Sequence, residues 1–207
     1  MQTANKSSQK KVAAADVLKN EACMAGFVAR RFHKSVREIT FGGCRFDVVS
    51  YNKRERLFTL IECKLGTNPT TIGQAFGQIL AYTAVLTEHG WDFVNEVGRK
   101  LSLSFNRLWQ ATAGAQQIRV AFYVALTKEA CRRDALLQSV KGLLPYVGIV
   151  RVNPDGKCKM FIRINGKKDV TIAEAKPVVI KIISKGQVKQ TQSRTAGTKF
   201  RKTEKSR

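Results

Sequence analysis

The sequence predicts a mixed α/β (α+β) fold in which a central sheet is flanked by helices. Three observations carry this: an amphipathic helical run near the start, three short β signals in close succession, and a strand–helix–strand alternation afterwards.

In chain order, the first ten residues are polar and basic and read as a flexible arm. From about Lys11 to Phe32, apolar residues recur at three- and four-residue steps (Val12, Val17 or Leu18, Ala22, Ala25, Val28 or Ala29, Phe32), a helical pattern with Glu21 in its middle. Val36–Phe41, Arg45–Ser50 and Leu57–Cys63 read as strands. Gly42-Gly43 and the polar stretch 52–56 separate them as hairpin connections, so these three strands should be antiparallel.

Pro69-Thr70-Thr71 opens a helix expected over 70–88, with Gly90 ending it. Segment 91–117 reads as a less regular helix and then a loop, and is a candidate helical insertion. Ile118–Leu126 (IRVAFYVAL) is a buried strand, and Lys128–Val140 a helix. Val147–Val152 and Lys159–Ile164 flank Asn153-Pro154-Asp155-Gly156 and should close a hairpin. The folded domain is therefore expected over 11–180. Residues 181–207 carry nine Lys and Arg against Glu204 alone, which predicts a disordered basic tail able to follow a nucleic-acid backbone.

Across the 207 residues, 37 Lys and Arg stand against 15 Asp and Glu, a formal charge of +22. That excess favours polyanions, because each phosphate neutralised releases condensed counterions. DNA is the leading partner; with no apolar anchor and no apolar run of bilayer length, no membrane is expected. No secretory leader is evident and the five cysteines are dispersed, so an intracellular, cytoplasmic setting with reduced thiols is expected.

The run LFTLIECK is apolar until Glu62 and Lys64, which lie two residues apart and so share one strand face. Burying both costs several kcal/mol per ion before compensation. Asp47, on the preceding strand between apolar neighbours, can reach the same place by antiparallel pairing. Two carboxylates and the Cys63 carbonyl would offer the all-oxygen surroundings that Mg2+ or Mn2+ takes. The chemistry such a site supports is phosphodiester hydrolysis, with Lys64 orienting or deprotonating the attacking water. The Cys63 side chain points to the opposite face and reads as core.

Asp47 followed by Glu62-Cys63-Lys64 resembles the D…ExK signature of the PD-(D/E)xK nuclease superfamily, and the order αβββαβ over roughly 12–152 resembles that superfamily's restriction-endonuclease-like core. Gln78 and Tyr82 resemble the QxxxY motif of its RecB-like exonuclease and repair branches. The resemblance implies that they face the active centre and help hold the lysine or a substrate phosphate. It also implies a metal-assisting glutamate on the first helix, which Glu21 matches, 26 positions before Asp47, with Asp16 as the competing choice. Phe46 stands where the superfamily's name has proline.

Helical spacing independently places Gln74, Gln78 and Tyr82 on one face, with Gln74 a candidate nucleic-acid contact. Arg30, Arg31, Lys34 and Arg37 form a basic cluster that reads equally as a solvated face or as phosphate contacts. His33 and His89 lack neighbouring ligands and read as non-catalytic. The expected protein is a Mg2+- or Mn2+-dependent deoxyribonuclease, either an exonuclease or a structure-selective endonuclease. Its rival is a non-catalytic basic nucleic-acid binder. A homodimer is compatible with the resemblance, since many such nucleases cut both strands as dimers.

Overall fold

The computed structural model describes residues 18–32, 34–104, 106, 112, 117–164, 167–171 and 173–182. The basic arm, Asp16, His33 and the tail beyond 182 lie outside them.

Helix α1 (Glu21–Arg31) starts later than its apolar periodicity suggests. Residues 18–20 are non-helical, and Asn20 caps the helix by accepting a 2.8 Å hydrogen bond from the Cys23 N–H. Glu21 is thus the first helical residue, not a mid-helix one. Residues 11–17 of the expected helix lie outside the described residues.

Strands β1 (Ser35–Phe41), β2 (Cys44–Asn52) and β3 (Leu57–Lys64) form the expected antiparallel meander. Gly42 and Gly43 both adopt positive φ (57° and 76°), the two-residue turn whose twist matches a hairpin. Helix α2 (Pro69–Lys100) then crosses over to β4 (Gln117–Thr127), which runs parallel to β3.

After a 3-10 turn (Ala130–Arg132) and helix α3 (Asp134–Leu143), strand β5 (Gly148–Val152) adds parallel to β4. Where one helix was expected over 128–140, the Thr127 hydroxyl accepts from the Ala130 N–H and Arg133 leaves helical geometry, which divides the segment. Strand β6 (Cys158–Lys159) closes the hairpin on β5 through the Asn153–Gly156 turn. The expected strand 159–164 does not continue in this sheet. Its second half becomes β7 (Ile162–Ile164), paired with β8 (Lys167–Asp169) in a separate ribbon. Strand β9 (Val178–Lys181), which the sequence left unassigned, pairs antiparallel with residues 117–120 of β4, while β5 takes residues 123–127. With β3 occupying the opposite edge, β5 and β9 share one side of β4. The main sheet order is β1-β2-β3-β4-β5-β6 with β9 on β4.

Helices cover both faces of this mixed sheet, which is why β3 and β4 read as almost unbroken apolar runs. Phe58, Leu60, Phe122, Val124 and Leu126 meet α2, whereas Ile61, Cys63, Ala125 and Val150 meet Met24, Ala25 and Val28 of α1.

Helix α2 also overruns its expected end. It bends at His89, whose φ and ψ are non-helical (−128° and 23°), and continues for another eleven residues. A glycine inside a helix costs about 1 kcal/mol. The continuation buries Phe93, Val94 and Val97 in the core, each contributing about 1.5–3 kcal/mol, so burial outweighs the stop signal. Residues 91–100 therefore belong to α2, and most of 105–116 lies outside the described residues. No helix among the described residues is long and apolar enough to cross a membrane.

Candidate active site

The site forms where β2 and β3 part. Their pairing runs from Asn52↔Leu57 to Val48↔Ile61 and stops. Beyond it, Asp47 Oδ2 accepts the Cys63 N–H at 2.8 Å, so a carboxylate takes the place of the next backbone acceptor. An irregularity in both outer strands aims Asp47 there. Val36 and Ile39 lie three residues apart, as do Phe46 and Val49, yet all four pack in the α2-side core, which strict alternation forbids. Glu38, opposite Asp47, absorbs the irregularity with a φ of 54°.

Glu62 and Lys64 occupy the carboxyl end of β3, beside the parallel strand β4, the end of an open α/β sheet where ligands bind. Lys64 Nζ lies 2.8 Å from Glu62 Oε1 and 3.3 Å from Glu21 Oε2, and its side chain is only 14% exposed. Lys64 thus joins the two glutamates of β3 and α1. Glu21 sits at the helix start, where Asn20 fixes the cap, and is partly open to solvent.

The two other carboxylates are enclosed: Asp47 is 5% exposed and Glu62 1%. Burial raises the pKa of Asp47, opposed by the Cys63 N–H bond and by the charges of Lys64 and Arg45. Burial and the charge of Asp47 raise that of Glu62 against its bonds to Lys64 and Tyr82. For Lys64, burial acts to lower the pKa, but its bond to Glu62 and the charges of Glu62 and Glu21 prevail and hold it above the usual value.

Tyr82 lies behind Glu62. Its ring packs 4.3 Å from Phe46, and its hydroxyl meets both Glu62 Oε2 and, at 2.7 Å, the Arg45 carbonyl. The hydroxyl donates toward both, and a phenol has one proton for these two acceptors, so the Glu62 carboxylate and the Arg45 carbonyl compete for it. At 1% exposure Tyr82 is a positioning residue for Glu62, and it makes no bond to Lys64 among the described contacts.

Gln78 differs. Its Oε1 is buried without a hydrogen-bond partner, and it lines an open depression of about 470 Å3 with Lys64, Gln74, Gly77 and Ala81. The depression gathers Gln74, Gln78 and Lys64, and Lys64 in turn contacts Glu62.

The expected basic cluster divides. Arg30, Lys34 and Arg37 line one hollow of about 550 Å3 at the far end of α1 from Glu21, with Arg30 stacked 4.5 Å over Phe27. Arg31 lines a different hollow together with Phe32, Thr59 and Tyr123, because successive helical residues point about 100° apart. Sequence reasoning missed Arg45, whose guanidinium approaches Asp47 Oδ1 at 3.7 Å. Its position two residues before Asp47 on the same strand was the available signal. His89 is surface-exposed at the bend of α2, 3.8 Å from Glu88.

Among the described residues, no three His, Cys, Asp or Glu side chains form a ready cage for a metal ion. The donors nonetheless fit a hard divalent cation. Mg2+ is usually held by one or two carboxylates and keeps several waters, so the buried Asp47 and Glu62 with the Cys63 carbonyl suffice. Burial is the main cause that raises the pKa of both carboxylates, and a bound cation would offset the cost of keeping them ionised there. Comparison with protein families, with curated proteins and with solved structures gives no match for this chain.

Proposed function

We propose that this protein is a metal-dependent nuclease that hydrolyses phosphodiester bonds of DNA, and that it is related to the PD-(D/E)xK nucleases. The observation that carries the reading is the convergence of Asp47, Glu62 and Lys64 at the parting of β2 and β3, inside an otherwise apolar sheet. Structural needs do not account for it, since apolar residues of similar volume at such positions are often neutral or stabilising. The charge of +22 suits the substrate.

In this reading Asp47 and Glu62, with the Cys63 carbonyl, hold Mg2+ or Mn2+, and Glu21 assists from α1. The bound ion supplies Lewis-acid polarisation of the phosphoryl oxygen and a lowered pKa for water. Lys64 is kept as an ammonium by Glu62 and Glu21, which favours orienting the water and balancing developing charge over abstracting a proton. Gln78, with its unbonded oxygen in the depression over Lys64, is placed to orient a water or a substrate donor. Exonuclease and structure-selective endonuclease action are both compatible with this centre, as is a homodimer.

The test is incubation with linear, nicked, covalently closed and branched DNA in Mg2+ or Mn2+. The expected result is metal-dependent cleavage that Lys64→Ala reduces on the order of 1,000-fold, as loss of a group worth several kcal/mol in the transition state requires. DNA binding should persist in the variant. Binding without cleavage on every substrate would overturn the enzyme in favour of a non-catalytic basic binder.

A further inference from the structure

Phe161 stands where the chain leaves β6 for the β7–β8 ribbon. Three cations collect around its ring: Arg151 Cζ at 4.8 Å from the centroid, Lys168 Nζ at 5.0 Å and Lys159 Nζ at 5.5 Å. None of the three has a carboxylate within ion-pair distance among the described side chains, and Arg151 Nε is buried without a hydrogen-bond partner. Three like charges gathered on one ring repel one another, and an exposed cation–π contact returns only about 0.5–1 kcal/mol. The ring alone therefore does not explain the gathering. An anion bound among the cations would.

The sheet register ties this patch to the candidate active site. Lys64 pairs with Leu126, Leu126 with Arg151, and Arg151 with Lys159, so these residues form one row across four strands. Leu126 faces the α2-side core, which places Lys64, Arg151 and Lys159 on that same face. With strands about 4.8 Å apart, Arg151 lies roughly 10 Å and Lys159 roughly 14 Å along the row from Lys64.

We propose that Arg151, Lys159 and Lys168, gathered on Phe161, form a second phosphate-binding site that holds the nucleic-acid backbone beside the cleavage centre. The proposal extends the nuclease reading and rests on it for the position of the scissile phosphate. A reach of roughly 10–14 Å corresponds to about three to four base steps along a duplex axis at 3.4 Å each. Phosphate contacts of this kind fix register without reading sequence.

The test uses the full chain without divalent metal, titrating 20-nucleotide single strands and 20-base-pair duplexes between 50 and 200 mM salt. The double variant Lys159→Gln/Lys168→Gln alters exposed or half-exposed side chains, so folding is preserved and is checked by thermal melting. Its plot of log affinity against log salt should lose about 2 units of slope, with affinity at the lowest salt falling on the order of tenfold. A control pair in the β2–β3 turn, Lys53→Gln/Arg54→Gln, removes the same charge at the opposite end of the strands and should leave the slope near wild type. In a separate assay with Mg2+ or Mn2+ added, hydrolysis of a dinucleotide, too short to reach the patch, should be equal in wild type and double variant.

Equal loss in the control pair, or wild-type slope in the double variant, overturns the site; unchanged DNA binding would leave an acidic protein as the partner of the patch. If the slope falls as expected but no substrate is ever cleaved, the phosphate site stands and the nuclease reading fails. If cleavage occurs while the slope is unchanged, the reverse holds.

Discussion

Glu62→Gln is expected to abolish metal-dependent cleavage, on the order of 1,000-fold, while making the metal-free protein more stable. Both effects follow from one buried carboxyl. In the wild type, ionised Glu62 is enclosed beside Asp47, and its pKa is raised from the ordinary 4.5, as that of Asp47 is from 3.8. Over the interval between ordinary and raised values the folded state holds more protons than the unfolded chain, so these groups make stability fall as pH rises through it. Lys64 acts in the opposite direction at high pH: its raised value contributes stability below the ordinary 10.5 that is lost as pH climbs through the folded value.

Glutamine at position 62 removes the acid without emptying the space. Its carbonyl can accept from Lys64, its amide can donate to the Tyr82 oxygen, and the tyrosine proton is then free for the Arg45 carbonyl. The variant should exceed wild type by about 1 kcal/mol at neutral pH, roughly 2–4 °C in Tm, as often happens when a functional group is replaced. The gap should shrink as pH falls toward the ordinary carboxylate values. Melting in chelator from pH 4 to 8 measures this. Cation at a hundredfold its Kd should then add about 2.7 kcal/mol to the wild type and far less to Glu62→Gln. A variant that melts below wild type yet still cleaves DNA would remove Glu62 from the centre.

The parts of this site visible in the sequence are those written in strand alternation. Glu62 and Lys64 had to share a face, and Cys63 had to take the other, because β3 is regular to its end. Asp47 was legible as a buried acid, but its aim at the Cys63 N–H depends on the paired irregularity at Glu38, and a glutamate with positive φ announces itself by no residue type. The role of Tyr82 shifted for a similar reason. Helical spacing set it beside Gln78, whereas depth decided that it backs Glu62 while Gln78 faces the depression over Lys64. Local signals also misplaced two helix ends, one at each margin of the core. Asn20 overrode an apolar periodicity that ran on upstream, and buried aromatics overrode Gly90. The β-branched run Val178-Val179-Ile180 marks β9 as a strand, but its return onto β4 is a long-range pairing that no local signal specifies.

Phe93→Ala is expected to cost about 3–5 kcal/mol, the range for emptying a fully buried aromatic position. Phe93 lies beyond the bend of α2, and its ring meets Phe41 at 6.0 Å, Phe46 at 5.3 Å and Phe58 at 6.0 Å, so it joins the helix continuation to three strands' worth of core. Phe46 in turn supports the Tyr82 ring, and Tyr82 holds Glu62. If the continuation folds as one unit with the rest, urea unfolding of Phe93→Ala should remain a single transition with a lower midpoint, and Phe93→Leu should recover most of the loss. A loss under about 1 kcal/mol would mean that residues beyond the bend are only loosely attached, in the manner of a locally unfolding segment. The size of the loss therefore decides whether the helix is effectively ended at the His89 bend or merely bent there, and whether the aromatic column from Phe93 to Tyr82 is part of what keeps Glu62 in place.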